Sequence, residues 1–120
     1  MAGNSFAIAI DDESFLSFKK WGYDFEGAFS HPEYLKEQSG VYVIWCRSGA
    51  IWTVLDVGES ENIRHYVLNH PHGEMWEKLC LNSSRILYYS ATYTRSTDKT
   101  GRVEIVNKIK EASSPLFNDC

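Results

Sequence analysis

Two histidines separated by one residue, His70 and His72, are the side chains whose type and spacing first suggest chemistry. Imidazole nitrogens bind Zn²⁺, and an imidazole near neutral pH can also carry a proton. Neither a cysteine nor a suitably spaced acid stands near these two or near His65, so the sequence does not favour a zinc site. His70 follows Tyr66 by one helical turn. We expect it either at the edge of an active site as a proton carrier or exposed at the negative end of a helix dipole.

A tyrosine and an aspartate, Tyr42 and Asp56, lie on two β-rich segments, residues 41–46 and 51–57, that predict a hairpin. A two-residue turn would place Tyr42 opposite the residue before Asp56. A three-residue loop with Gly49 in the left-handed conformation would place the two opposite each other on one face. We predict the second register.

The hairpin leaves two interpretations open for each of these side chains. Asp56 beside Tyr42 would serve as a metal ligand or a general base. Alternatively, Asp56 ends its strand and accepts hydrogen bonds from the turn at residues 58–60. Tyr42 is either an active-site residue or a cross-strand aromatic of the core.

The elements that must position these residues follow from hydrophobic periodicity. After the hairpin, the pattern predicts a helix capped by Ser60, a shorter helix at 75–79, a strand at 85–93 and a last helix at 98–112 that ends before Pro115. The inward stripe of the first helix is Ile63, Tyr66, Val67 and His70. This mixture of predicted strands and helices indicates an α/β (α+β) fold.

The N-terminal part has a different character. Residues 6–10 alternate as a short strand does, and residues 12–20 have the spacing of a short amphipathic helix, followed by an aromatic loop at 21–29. We predict one continuous domain, with residues 1–38 as an N-terminal strand and helix extension packed on residues 39–120.

Charge excludes one class of partner. The chain has 120 residues and a formal net charge of -4. Residues 1–38 carry seven acids against three bases, whereas the remainder is balanced at nine against nine. Tight binding to phosphate backbones needs many lysine and arginine contacts, so we expect nucleic acid to bind weakly at most.

Cysteine usage and hydropathy bear on the compartment. Three cysteines, Cys46, Cys80 and Cys120, are an odd number without CxxC spacing, which predicts buried or incidental thiols instead of a disulfide framework or a thiolate zinc site. No apolar run approaches the ~20 residues of a membrane span, and residues 6–10 are too short for a signal-peptide core. We therefore expect a cytoplasmic protein with no membrane partner.

Four short segments, taken in order, resemble the GIY-YIG nuclease superfamily. They are Gly40-Val41-Tyr42, Asp56-Val57-Gly58-Glu59-Ser60-Glu61-Asn62-Ile63, Arg102-Val103-Glu104 and Pro115-Leu116-Phe117-Asn118. Each segment alone is weak evidence for the family, and the resemblance rests on the order of the four segments along the chain. The resemblance covers residues 40–118 and implies a central three-stranded antiparallel sheet flanked by helices. It also implies cleavage of nucleic-acid phosphodiesters with one divalent metal ion.

The resemblance implies roles for three residues. Tyr42 matches the tyrosine that positions or deprotonates the nucleophile, Glu104 the carboxylate that holds the metal, and Asn118 an asparagine that supports the site. The expected ion is Mg²⁺ or Mn²⁺, because hard cations need few protein carboxylates when substrate and water supply the other oxygens. Periodicity places Glu104 on the polar side of its helix, where an acid early in a helix is commonly found.

Two positions depart from the family pattern. Asp56 stands where the second motif has its tyrosine, and Tyr66 stands where the family has a catalytic arginine. Such an arginine contributes about 10³–10⁵ in rate in well-studied phosphoryl-transfer systems. Arg64 and Arg102 are candidates to bind substrate in its place, with Arg85 a third, although Arg64 lies ~200° around the helix from Tyr66. Tyr66 alternatively serves only in packing.

Two hypotheses of different class follow. The first is a weak or inactive divalent-metal-dependent phosphodiesterase, which requires Tyr42, Glu104 and Asn118 to converge on one open concavity. The second is a non-catalytic binding module for a protein partner, a second copy of the chain, a nucleotide or nucleic acid. Four aromatic residues would then form a base-stacking or dimer surface. They are Trp21, Tyr23, Phe25 and Trp76.

Overall fold

A five-stranded antiparallel sheet with helices on both faces organises the chain. The computed structural model describes residues 17–80, 85–95 and 97–116. The strands are β1 (Ser17–Lys20), β2 (Tyr23–Phe29), β3 (Gly40–Ser48), β4 (Ile51–Ser60) and β5 (Ile86–Tyr93), and the helices are α1 (Ile63–Leu68), α2 (Gly73–Cys80) and α3 (Lys99–Ser113). The strand order is β1-β2-β5-β3-β4. The expected α+β class is confirmed, whereas the expected three strands are an undercount.

The two additional strands come from the N-terminal part, where the predictions were wrong. Residues 17–20, predicted as the end of a helix, form β1, and the predicted loop contains β2. Trp21 and Gly22 join them as a two-residue turn with φ of 53° and 87°, as a type I′ hairpin requires. Phe18 stacks on Phe25 across this hairpin, with ring centroids 5.3 Å apart. The predicted strand at 6–10 lies outside the described residues.

The hairpin of β3 and β4 has neither predicted register. Ser48 pairs with Ile51 across a two-residue turn, and Tyr42 pairs with Gly58. The register shifts between the pairs Ile44–Asp56 and Trp45–Val54. Leu55 is therefore an extra residue on β4, a β-bulge that periodicity does not reveal.

The bulge decides which side chains of β4 share a face. Normal alternation would send Leu55 and Asp56 to opposite sides. Instead, Leu55 packs in the core that contains Tyr42 and Ile44, and Asp56 contacts Trp76 of that same core. Asp56 and Tyr42 thus lie on one face, as expected, although they are not opposite each other.

The two faces carry separate cores. The first face, covered by α1 and α2, buries Ile63, Val67 and Trp76 of those helices against the sheet. The second face, covered by α3 and by aromatic residues of the β1–β2 hairpin, buries Val106 and Ile109. Of the inward stripe expected for the first helix, Ile63 and Val67 are buried, whereas Tyr66 is 39% exposed.

Cys46 of β3 and Cys80 of α2 form a disulfide on the first face. The expectation of free thiols is wrong for this pair, because folding brings together two cysteines that are 34 residues apart in sequence. Cys120 lies outside the described residues. Among the helices of the described chain, none is long and apolar enough to cross a membrane.

Candidate functional site

A hydrogen-bonded tyrosine–histidine pair occupies the first face. Tyr42 Oη and His70 Nε2 lie 2.8 Å apart, and the main-chain N–H of His72 donates to His70 Nδ1 at 2.9 Å. A main-chain N–H can only donate, so His70 Nδ1 carries no proton and the neutral ring is protonated at Nε2. His70 therefore donates to the oxygen of Tyr42.

Local structure places this pair. Asn62 caps α1 by accepting a hydrogen bond from the main-chain N–H of His65, and this short helix leads directly to His70. The ring of Tyr42 lies across Gly58 of β4, where a Cβ atom would fall on the tyrosine hydroxyl. A glycine is thus required at position 58 for Tyr42 to reach His70.

Asp56 is a buried carboxylate held by two neutral donors. Its Oδ2 accepts from Trp76 Nε1 at 2.9 Å, and its Oδ1 accepts from the main-chain N–H of Val57 at 2.8 Å. The residue is 5% exposed. The alternative in which Asp56 ends its strand is wrong, because β4 continues through Ser60.

Asp56 also lies close to the two histidines. One ligand atom each of Asp56, His70 and His72 lies within 4.8 Å of the others. We call Tyr42, Asp56, His70, His72 and Trp76 the polar cluster. Sequence reasoning set the His70-x-His72 pair aside because no acid stood near it in sequence, and the acid reaches it through the bulge in β4.

A cleft lies beside the polar cluster, between α1, the end of β4 and α3. Its lining residues are Glu59, Ser60, Glu61, Tyr66, Lys99 and Arg102. Tyr66 connects the two regions, because its ring centroid is 5.0 Å from that of His70 and 6.0 Å from that of Tyr42. Lys99 of this cleft was missed by sequence reasoning, since nothing distinguishes it from other helix-end lysines.

The two arginines proposed for substrate binding have different surroundings. Arg102 is 4% exposed, and its Nε donates to Glu59 Oε1 at 2.8 Å while its Nη1 donates to the carbonyl of Thr97. Arg64 lies at the surface, with its Nη1 3.6 Å from Glu37 Oε2. Arg102 thus lies in the cleft wall, and Arg64 is not part of the lining.

Glu104, the predicted metal ligand, is exposed on α3. That helix packs on the second face, whereas Tyr42 belongs to the first, so the expected convergence of these two residues does not occur. The reason is the helical stripe of α3, in which Arg102, Val106 and Ile109 face inward. Asn118 lies outside the described residues.

The proposed stacking surface is largely internal. Trp76 and Phe25 are buried, and Trp21 stacks on Trp45 with centroids 5.7 Å apart. These aromatic side chains belong to the two cores, so they do not form the expected surface. Tyr66 is the aromatic residue of the cleft that is exposed.

Two tyrosines of β5 have perturbed acidity away from the polar cluster. Burial, and then the negative charges of Glu77 and Glu33, raise the pKa of Tyr89 to about 12. Burial also raises the pKa of Tyr93 to about 12, although its hydroxyl accepts a hydrogen bond from the main-chain N–H of Lys36. Both hydroxyls therefore remain protonated at neutral pH.

The predicted residues Tyr42, Asp56, Tyr66 and His70 thus come together, and Arg64 and Glu104 lie elsewhere. Chemically, the polar cluster can exchange a proton or bind a cation, and the adjoining cleft offers an aromatic ring and positive charge. No family model, curated protein or solved structure matches the chain.

Proposed function

We propose that this chain is a divergent GIY-YIG-like domain that binds single-stranded nucleic acid weakly in the cleft and does not cut it efficiently. The observation that carries the proposal is the exposed ring of Tyr66 at the cleft, where the family resemblance implies an arginine. An aromatic ring can stack on a base, but it cannot neutralise a phosphoryl transition state as an arginine does.

The charges of the cleft support weak binding. Lys99 supplies a positive charge, whereas the guanidinium of Arg102 is already paired with Glu59, and Glu61 adds a negative charge. Phosphate contacts determine both the strength and the salt dependence of nucleic-acid binding. The two cations of the cleft lining, Lys99 and Arg102, are thus balanced by two carboxylates, Glu59 and Glu61, which favours low affinity that falls further as salt is added.

Fluorescence anisotropy with labelled single-stranded DNA, single-stranded RNA and duplex DNA at low salt tests this function. Stacking on one base is worth about 1–3 kcal/mol, so Tyr66→Ala should weaken single-strand binding about 5- to 150-fold, while Tyr66→Phe should retain it. Tyr34→Ala, which removes an exposed tyrosine outside the cleft lining, is the matched control.

Lysine variants separate the phosphate contact from stacking. Lys99→Gln should weaken binding of every sequence equally and reduce its salt dependence, whereas Lys108→Gln, on the exposed side of α3, should not. Unchanged affinity in Tyr66→Ala, or a preference for duplex over single strands, would contradict the proposal.

A second function, slow divalent-metal-dependent phosphodiester cleavage, is favoured by the Tyr42–His70 hydrogen bond. Donation from His70 Nε2 fixes the orientation of the Tyr42 hydroxyl, which would then position an attacking water by a hydrogen bond. Tyr42 is only 3% exposed behind Tyr66, so the proposed reaction is slow. Mg²⁺ or Mn²⁺ would be held by substrate oxygens and the cleft carboxylates of Glu59 and Glu61.

Cleavage of labelled DNA and RNA with Mg²⁺ and Mn²⁺ tests this second function. Wild type should cut slowly, Tyr42→Phe should lose cutting because only the hydroxyl is removed, and Glu104→Gln should cut like wild type. Loss of cutting in Glu104→Gln would instead indicate that Glu104 is the metal ligand, as the family resemblance implies. A wild type that binds but does not cut would reject the second function and leave the first.

A further inference from the structure

The buried carboxylate of Asp56 and the two nearby imidazoles form a ligand set that the proposed nucleic-acid binding does not use, and of which the proposed cleavage uses only His70, through its hydrogen bond to Tyr42. The ligand atoms of Asp56, His70 and His72 lie within 4.8 Å of one another. Two of these residues are separated by a single position, and the third reaches them from the bulged part of β4. The set is therefore assembled by the fold and not by a local sequence motif.

We propose that Asp56, His70 and His72 form a binding site for one divalent transition-metal ion of the Zn²⁺ type, with water completing the coordination. Two imidazole nitrogens and one carboxylate oxygen suit Zn²⁺ and its neighbours, whereas Mg²⁺ and Ca²⁺ select all-oxygen sets. The site requires neither nucleic acid nor the cleft, so it can be tested separately from the proposed nucleic-acid binding.

The distances permit this coordination with small movements. Ligand atoms about 2.1 Å from a tetrahedral Zn²⁺ are about 3.4 Å from one another. Atoms now within 4.8 Å therefore need to approach by at most about 1.4 Å. Side-chain rotation at His70 and His72, which are both partly exposed, supplies movements of that size.

The hydrogen bonds already present suit a metal ligand at His70. An ion on His70 Nδ1 displaces the donated N–H of His72, while the opposite nitrogen keeps its proton and its bond to Tyr42 Oη. Metal-bound histidines usually donate their other ring N–H to such an oxygen, which fixes the tautomer. Tyr42 would thus be a positioning residue for the metal ligand.

Asp56 is oriented in a similar way. Trp76 Nε1 and the main-chain N–H of Val57 each donate to one of its oxygens, and outer partners of this kind orient ligating carboxylates. The residue is 5% exposed, so bulk water would screen the attraction between this carboxylate and a bound cation only weakly.

Isothermal titration of the full chain, with its disulfide intact, against Zn²⁺ and then Co²⁺ tests the site. The expected result is one ion per chain, a raised melting temperature in its presence, and no competition from excess Mg²⁺. His72→Gln and Asp56→Asn should each weaken binding at least tenfold. His72→Gln leaves the main-chain N–H that donates to His70 in place, so its fold should be preserved.

The matched control is His65→Gln, which removes a histidine of α1 outside the cluster and should bind Zn²⁺ like wild type. Circular dichroism and metal-free melting verify that each variant folds. Failure of wild type to bind Zn²⁺, or retention of full affinity by folded His72→Gln, would overturn the site. Oligonucleotide binding without Zn²⁺ binding would reject this inference alone, and the reverse result would reject the proposed nucleic-acid binding alone.

Discussion

Each face of the sheet buries one tryptophan whose indole N–H has a single close acceptor, but the acceptors differ in charge. On the second face, Trp45 Nε1 donates to the hydroxyl of Ser90 at 2.9 Å. On the first face, Trp76 Nε1 donates to the carboxylate of Asp56, also at 2.9 Å. A neutral hydroxyl is therefore a sufficient hydrogen-bond acceptor for the N–H of a buried indole, so the packing of Trp76 does not by itself require a carboxylate.

The rings that surround the two tryptophans also differ, apolar on the second face and titratable on the first. Trp45 is surrounded by aromatic rings, with Trp21 stacked on it and Phe18 at its edge. Trp76 instead lies against His70, with ring centroids 4.4 Å apart. The second face stabilises the sheet by apolar burial, whereas the first face combines its core with titratable groups. Experiments that weaken each face separately can test this division.

The largest expected effect concerns the covalent link on the first face. Closing a loop between Cys46 and Cys80, 34 residues apart, restricts the unfolded chain and is worth about 2–4 kcal/mol. Reduction, or a Cys46→Ala/Cys80→Ala variant, should lower the free energy of unfolding by that amount in urea titrations. Cys120→Ser is the control and should not change it. Equal stability of oxidised and reduced protein would contradict the prediction.

The paired tryptophans provide the most direct comparison of the faces. Trp76→Phe and Trp45→Phe remove the same atoms, but a hydrogen bond to a charged group contributes about 1.5–3 kcal/mol and a neutral one about 0.5–1.5 kcal/mol. Trp76→Phe should therefore lower the free energy of unfolding by about 1 kcal/mol more at neutral pH. Equal losses in urea titrations would mean that the carboxylate of Asp56 does not distinguish the faces.

A glycine substitution tests the space that Tyr42 occupies. A Cβ at Gly58 would overlap the tyrosine hydroxyl, so Gly58→Ala should cost about 1–3 kcal/mol and disturb the bond to His70. Gly73→Ala is the control, because no atom lies within 4 Å of the Cβ that it would add. Thermal unfolding and the chemical shifts of the His70 ring measure the two effects, and equal behaviour of both variants would refute the assigned geometry.

The smallest effect is a loss of stability in alkali. Burial raises the pKa of Tyr89 from 10.0 to about 12, so the native state retains its proton where the unfolded chain has lost it. The stabilisation from this group is complete below pH 10 and disappears as the pH rises toward 12. Tyr89→Phe should reduce the slope of melting temperature against pH in that interval, and the exposed-residue variant Tyr34→Phe should not.

Several elements were accessible from sequence because their signals are local. The hairpin strands, the buried stripe of α3 and its termination before Pro115 follow from alternation, helical spacing and proline chemistry. Asp98 caps α3 by accepting a hydrogen bond from the main-chain N–H of Gly101 at 2.9 Å, a short-range pattern of the same kind.

The remaining features depend on long-range packing. The N-terminal strands could not be predicted, because the spacing of apolar residues over 12–20 also fits a helix. The contact that identifies β1 as a strand, Phe18 on Phe25 of β2, is made with another strand and leaves no local signal. Glu104 was assigned to the site by resemblance, although the inward stripe of α3 leaves it in solvent. The proximity of Asp56 to His72 has no local signal either, since α1 lies between them in the chain and the bulge sets the direction of the aspartate.

The bulge at Leu55 allows β4 to hold one additional residue without turning its later residues over. Val54 and Val57 both belong to the second-face core, whereas Leu55 and Asp56 between them both lie on the first face. Deleting Leu55 would therefore leave Val54, Asp56 and Val57 in regular alternation, with Asp56 still beside the histidines. In evolution, a single-codon insertion at this point of β4 can be accommodated as a bulge, so the polar cluster tolerates a change in the length of the strand that carries its aspartate.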